Sequence, residues 1–193
     1  MSAPAYDAVV LAGGSARRLG GRDKASELVG SLTLLDRVLA AVPDAVRTVI
    51  VGPVRPVAAT VSVWTREQPP GGGPVAGLAA GLVGVSAATV VVLAADLPFV
   101  SAGTIRTLLD ALDDEGVVLV DADGRDQPLV SAWRTDALRA AITGLATPAG
   151  ASMHRLVAAL GVRRVAVAPS PGTPPPWLDC DTEAELARAR ELA

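Results

Sequence analysis

Residues 6–24 read YDAVVLAGGSARRLGGRDK, and the reading of the chain grows outward from them. Residues 6–11 are mostly apolar and of strand length, the pattern of a buried strand. Residues 12–24 follow as a loop that holds Gly13, Gly14, Gly20 and Gly21 beside Arg17, Arg18 and Lys24. Glycines let backbone amides approach an anion, and arginine and lysine neutralise its charge. The loop has neither the Gly-x-x-x-x-Gly-Lys nor the Gly-x-Gly-x-x-Gly spacing, so neither common phosphate motif applies.

The chain then alternates. Residues 33–42 have helical spacing, 46–52 and 61–64 read as strands, and 65–74, TREQPPGGGP, as a loop. A small-residue helix is expected over 75–84 and the most buried strand over 89–95, ending at Asp96, Leu97 and Pro98. Residues 75–95 carry no charge, but Gly77, Gly81 and Gly84 break the run, which reads as helix plus strand rather than a membrane span. Ser101 is placed to cap a helix through residue 112. Strands follow over 116–121 and 128–133, joined by a turn around Asp123, Gly124 and Arg125. Helical spacing returns over 134–144 and 151–160, a last strand over 162–167, and a proline-rich loop over 169–176. Thr182 and Glu185 have the spacing of a capping box for a terminal helix. The alternation predicts an α/β three-layer sandwich, a mostly parallel sheet with helices on both faces, as one domain over 1–193. Loops 12–24, 65–74 and 96–98 all follow strands, so they share the edge where such sheets bind ligands.

Composition narrows the function. The 193 residues include 17 basic and 20 acidic side chains, net −3, which argues against a nucleic-acid partner. One cysteine and one histidine exclude a disulfide framework and histidine-cluster metal chemistry. Residues 1–7 lack a signal-peptide pattern, so a cytoplasmic protein with no membrane partner is expected. The chain has no asparagine, and Lys24 is its single lysine against 16 arginines. Where codon bias drives lysine to arginine, a retained lysine points to a task for a compact ammonium. Asp96, just past a buried strand, suits a hard cation such as Mg²⁺. The backbone of residues 69–77 can pass close to a planar base or sugar. Together these parts suit nucleotidyl transfer: a phosphate acceptor is already ionised, so cations and positioning matter more than a strong base.

The run Leu11-Ala12-Gly13-Gly14-Ser15-Ala16-Arg17-Arg18-Leu19-Gly20-Gly21-Arg22-Asp23-Lys24 resembles the signature of the molybdenum cofactor guanylyltransferases, the MobA-like nucleotidyltransferases. The resemblance continues through Gly73-Pro74-Val75-Ala76-Gly77-Leu78, Ala95-Asp96-Leu97-Pro98, Asp126-Gln127-Pro128-Leu129 and Asp179-Cys180-Asp181-Thr182, nearly the whole chain. It implies a Rossmann-like sheet. Leu11, Ala12, Gly13 and Gly14 would meet the nucleotide through backbone. Lys24 and Arg17 would hold the phosphates, Asp96 would coordinate Mg²⁺, and Gly73, Pro74 and Gly77 would pass the base and ribose. The implied reaction joins GMP from Mg-GTP to the phosphate of molybdenum-carrying molybdopterin, releasing pyrophosphate. It also implies transient contacts with molybdenum cofactor biosynthesis proteins or recipient molybdoenzymes.

Three positions depart from the resemblance. Gly52 stands where an asparagine is common. Gln68, beside Glu67, stands where an aspartate is common, so either side chain is a candidate for reading the base. Asp181 stands where an asparagine is common, and is a candidate metal ligand beside Asp96 or a helix cap. A cytidylyltransferase, a guanylyltransferase of small phosphorylated acids, and a catalytically silent nucleotide-binding partner remain as alternatives. His154 reads as solvent-facing, Cys180 as buried, Trp133 and Trp177 as packing, and Asp121, Asp123 and Asp126 as turn residues.

Overall fold

The computed structural model describes residues 4–13, 23–167 and 172–193. In chain order the first half holds β1 (Tyr6–Leu11), β2 (Leu28–Val29), β3 (Leu32–Thr33), α1 (Leu34–Leu39), β4 (Thr48–Val51), β5 (Val63–Thr65), α2 (Pro74–Leu82) and β6 (Thr89–Ala94). The second half holds α3 (Ala102–Asp110), β7 (Gly116–Val120), β8 (Asp126–Arg134), α4 (Thr135–Thr143), α5 (Met153–Ala158), β9 (Val162–Ala166) and α6 (Glu183–Glu191). Seven strands make one sheet in the order β5-β4-β1-β6-β8-β7-β9, and only β8 runs antiparallel to the rest.

Side chains of β1 alternate between two cores. Ala8 and Val10 meet Leu35, Val38, Ile105 and Leu108 from α1 and α3. Val9 meets Leu78, Leu138 and Leu156 from α2, α4 and α5. This is the expected three-layer sandwich, with the parallel strands apolar on both faces. α2 lies close to the sheet because its inner face is glycine. A Cβ on Gly81 would come within 2.7 Å of Val9 and 2.9 Å of Val51. That approach brings the start of α2 to the ends of β1 and β4.

The proline of β8 falls where the ladder tolerates it. Register with β7 shifts between Val118 and Leu119, skipping residues 128–130, and Ser131 Oγ donates to the Pro128 carbonyl at 2.7 Å. Proline cannot donate to a ladder, and a bulge re-aims the side chains beside it.

Two features were not anticipated from sequence. Lys24–Ser26 is a short 3-10 turn rather than the tail of a loop, and β2 pairs with β3 as a small antiparallel hairpin. Two-residue strands carry no period to read. Val29 and Leu34 here form a separate apolar cluster with Cys180, Leu186 and Ala189. Arg190 ties α6 down, donating to the Leu28 carbonyl and to Glu27, both at 2.9 Å. The C-terminal segment is thereby held beside the chain that follows Lys24. Residues 75–95 are α2, a turn and β6, and among the described residues no helix is long and apolar enough to cross a membrane.

Candidate active site

The parallel strands end at one edge, and a cleft of about 630 Å³ opens there. Leu11 and Gly13 after β1, Val51 of β4, Arg66 and Glu67 after β5, and Gly73, Pro74 and Gly77 at the start of α2 line it, with Asp96 and Leu129 on the opposite side. Loops 65–74 and 96–98, expected to share an edge, do so, together with Gly13 at the described start of the 12–24 loop. Arg66 was not singled out from sequence. Its signal was its place directly after an edge strand of the same sheet. Leu129 reaches the cleft through the β8 irregularity.

Gly52 explains itself by close approach. Its φ is +153°, and a Cβ there would lie 2.6 Å from the Ala12 carbonyl oxygen. The backbone of Ala12 and Gly13 is therefore pressed against Gly52, leaving no room for a side chain. Ala12 itself is buried. Gly14 and Arg17 lie outside the described residues.

The charged centre sits where β6 ends. The Lys24 ammonium donates to Asp96 Oδ2 and, at 2.5 Å, to Asp181 Oδ1. One comes from the turn after the basic loop, one from the end of the most buried strand, and one from the residue before the α6 cap. Lys24 and Asp96 are mostly shielded from solvent, while Asp181 is half exposed. Burial alone would lower the Lys24 pKa, but the charges and hydrogen bonds of Asp96 and Asp181 outweigh it and hold it above the ordinary lysine value. Asp179 shares this acidic neighbourhood. The residue as a whole is exposed, yet desolvation around its carboxyl, then the charges of Asp96, Asp181 and Glu185, raise its pKa. Cys180 between them is fully buried, and burial followed by the Asp96 charge pushes its thiol up to about 12. It is an inert packing residue.

Glu67 and Gln68 part company. Glu67 lines the cleft and its Oε1 accepts from the Gly71 amide at 2.9 Å, closing the loop on itself. Gln68 is exposed and is not among the described residues that line the cleft. The Gly72 carbonyl accepts from the Gly150 amide at 2.8 Å and the Gly73 carbonyl from the Gly77 amide at 3.0 Å, so both already have a partner.

Asp23, beside Lys24, is occupied. Arg55 grips its carboxylate at 2.5 and 2.7 Å and Ser26 Oγ donates to it at 2.8 Å. Chiefly through Arg55, and against burial, its pKa is held below the usual carboxylate range. The remaining sequence candidates are structural. Asp121 accepts from the amides of Asp123 and Arg125, both at 2.9 Å, and Asp126 holds Arg164 at 2.7 and 2.9 Å. His154 is exposed; Trp133 is buried and donates to Ser131 Oγ at 2.8 Å; Trp177 packs on the α1 and α3 side of the sheet.

The model of the MobA-like NTP transferase domain matches residues 8–169. A molybdenum cofactor guanylyltransferase of Acidiphilium cryptum is 32% identical over 189 residues, covering 94% of this chain and 92% of its own. One from Rhodobacter capsulatus is 32% identical over 195 residues, covering 95% and 94%. Among solved structures, molybdopterin-guanine dinucleotide biosynthesis protein A of Archaeoglobus fulgidus superposes with a TM-score of 0.73 at 20% identity, covering 96% of this chain and 97% of its own. The 2-C-methyl-D-erythritol 4-phosphate cytidylyltransferase of Thermus thermophilus superposes at 0.71 with 23% identity, covering 97% and 98%. At those identities the two structures speak for the fold.

Proposed function

Because the chain belongs to the MobA-like NTP transferase family, we propose that it transfers GMP from Mg-GTP to the terminal phosphate of molybdenum-carrying molybdopterin. An acceptor phosphate oxygen attacks the α-phosphorus, the bond to the β-phosphate breaks, and pyrophosphate leaves with the electron pair. The products are pyrophosphate and molybdopterin guanine dinucleotide. The acceptor oxygen is ionised at neutral pH, so no protein base is needed. The one observation that carries this is the meeting of Lys24 with Asp181 and with Asp96 of the cleft wall.

The two carboxylates that meet on the Lys24 ammonium make a hard-oxygen donor set. Among the described residues no group of three or more acidic, histidine or cysteine side chains is arranged to hold a metal. That suits Mg²⁺, which takes one or two carboxylates and completes its shell with water and substrate phosphates. Asp96, with Asp181, would hold it, and it would supply charge neutralisation at the phosphates. Lys24 then exchanges its carboxylate partners for phosphate oxygens, and Arg17 joins it there. Leu11, Ala12, Gly13 and Gly14 cradle the nucleotide by backbone, while Gly73, Pro74 and Gly77 border the base and ribose. The free oxygen of Glu67, rather than Gln68, faces the N1–H and amino group of guanine.

All 193 residues act as one domain in this proposal, supported by the single sheet and the docking of α6 on the β2–β3 hairpin. The site of action is the cytoplasm, with transient contacts to other molybdenum cofactor biosynthesis proteins or to recipient molybdoenzymes. The test is product formation from purified protein, Mg²⁺, molybdopterin and either GTP or CTP. Dinucleotide and pyrophosphate should appear with GTP. Turnover with CTP in preference would replace guanylyl by cytidylyl transfer, and no product with either would leave a silent binding protein.

A further inference from the structure

We propose that Arg55 is a positioning residue for Lys24, holding the start of the phosphate-binding lysine in place through a two-pronged grip on Asp23. The inference rests on Lys24 binding phosphate, as set out above.

Segment 52–62 connects β4 to β5 without regular structure, yet it is tied down along its length. Gly52 lies against Ala12 and donates its amide to the Thr65 carbonyl at 2.8 Å. The Ala58 amide donates to Asp36 Oδ1 at 2.9 Å, and the Ser62 amide to the Thr48 carbonyl at 3.0 Å. Between these anchors Arg55 reaches across the edge. Its Nε donates to Asp23 Oδ2 at 2.5 Å, its Nη2 to Asp23 Oδ1 at 2.7 Å, and its Nη1 to the Pro53 carbonyl at 3.1 Å. All three nitrogens are engaged, and the side chain is only 9% exposed.

Such a fork fixes the orientation of a carboxylate as well as its place. Ser26 Oγ also donates to Asp23 from within the 3-10 turn. The pair also adds to stability, with Arg55 9% and Asp23 45% exposed, so the positioning role is read from binding by the folded protein rather than from melting. What it does is join segment 52–62 to the residue directly before Lys24. Consecutive Cα atoms are a fixed distance apart, so holding Asp23 fixes where the flexible lysine stem begins.

Lys24 is the only lysine in the chain, which gives the test a single reporter. Isotopically labelled lysine yields one side-chain resonance, followed during titration with Mg-GTP in wild type, Arg55→Ala, Arg55→Lys, Asp23→Asn and the Arg55→Ala/Asp23→Asn double variant. Arg55→Ala should weaken Mg-GTP binding about tenfold and broaden or shift the Lys24 resonance in the free protein. Arg55→Lys should recover only part, since an ammonium cannot form the fork. The double variant should lose no more than the worse single variant, because both remove one interaction. Unchanged affinity and an unchanged Lys24 resonance in folded Arg55→Ala would overturn the proposal, as would losses that multiply in the double variant. If instead the wild-type Lys24 resonance ignores Mg-GTP, the assignment of Lys24 to phosphate falls first, and the role of Arg55 with it.

Discussion

Replacing Lys24 separates its service to the fold from its service to the substrate. In the free protein its ammonium bridges Asp96 and Asp181. The contact to half-exposed Asp181 contributes at the low end, about 0–1 kcal/mol. The shielded contact to Asp96 is a charge-assisted hydrogen bond of about 1.5–3 kcal/mol, offset by the cost of burying the ammonium. A net loss of about 1–2 kcal/mol in Lys24→Ala lowers Tm by about 2–8 °C for a chain of this size. Binding of Mg-GTP loses a charge-assisted contact of about 1.5–3 kcal/mol, or about 10- to 150-fold in Kd. Two carboxylates freed of their competitor should also bind Mg²⁺ more tightly in the absence of nucleotide.

Lys24→Arg is the discriminating variant. A positive charge remains between the carboxylates, so Tm should return to within about 2 °C of wild type. The wide guanidinium cannot occupy the same point against a phosphate, so turnover should stay at least about tenfold down. Calorimetric melting, titration with Mg-GTP and with Mg²⁺ alone, and initial rates on one preparation give the four quantities. Lys24→Arg turning over within about twofold of wild type would refute the need for a compact ammonium.

The other expectations are compact. Gly52→Asn should lower Tm by about 2–12 °C, because its Cβ meets the Ala12 carbonyl at 2.6 Å and overpacking of this kind costs about 1–3 kcal/mol; a melt within a degree of wild type would show that the two backbones can part freely. Glu67→Gln keeps an oxygen for the Gly71 amide but removes the charge facing the base, so the GTP-over-CTP ratio in competitive binding should fall about tenfold while Tm holds. Asp179 has a raised folded pKa, so its ionisation opposes folding as pH climbs past the unfolded value of 3.8. Asp179→Asn should therefore melt about a degree or two higher than wild type at pH 7, with the difference gone below that value, and a gain that persists in acid would assign it to another cause. Removal of Mg²⁺ with a chelator should weaken GTP binding at least about tenfold, read by calorimetry at constant ionic strength.

Much of this was legible because parallel strands are written as nearly continuous apolar runs. Residues 89–95 announced β6, and the carboxylate immediately after it announced the cleft wall. The capping spacings of Ser101 and Thr182 placed the starts of α3 and α6, and both side chains accept the expected amide. Less visible was whatever depends on contact across the chain. Nothing local distinguishes Arg55 from any other exposed-loop arginine, since its partner lies 32 residues earlier. Asp181 looked equally like a helix cap, but Thr182 performs the capping and Asp181 turns to Lys24. Glu67 and Gln68 are neighbours with similar chemistry, and only the backbone path decides which side chain enters the cleft.

The charge balance at this edge bears on how a polyanion is admitted at all. Among the described residues Lys24 brings its positive charge between Asp96 and Asp181, and Asp179 feels the charges of Asp96, Asp181 and Glu185. A bare triphosphate approaching Asp96 and Asp181 meets repulsion from those two carboxylates. At a few ångströms and an effective dielectric constant near 20, each net charge is worth about 3–4 kcal/mol. A nucleotide that arrives with a divalent cation reverses the sign, because the carboxylates then have a better partner and Lys24 is released toward the phosphates. On the proposed function the lysine would serve in turn as a placeholder that keeps two acidic groups together and as a ligand for substrate. That double duty demands a small, mobile, strongly charged head on a flexible stem, set on a firmly held backbone. An arginine-rich chain that keeps one lysine, and clamps the residue before it, meets both demands.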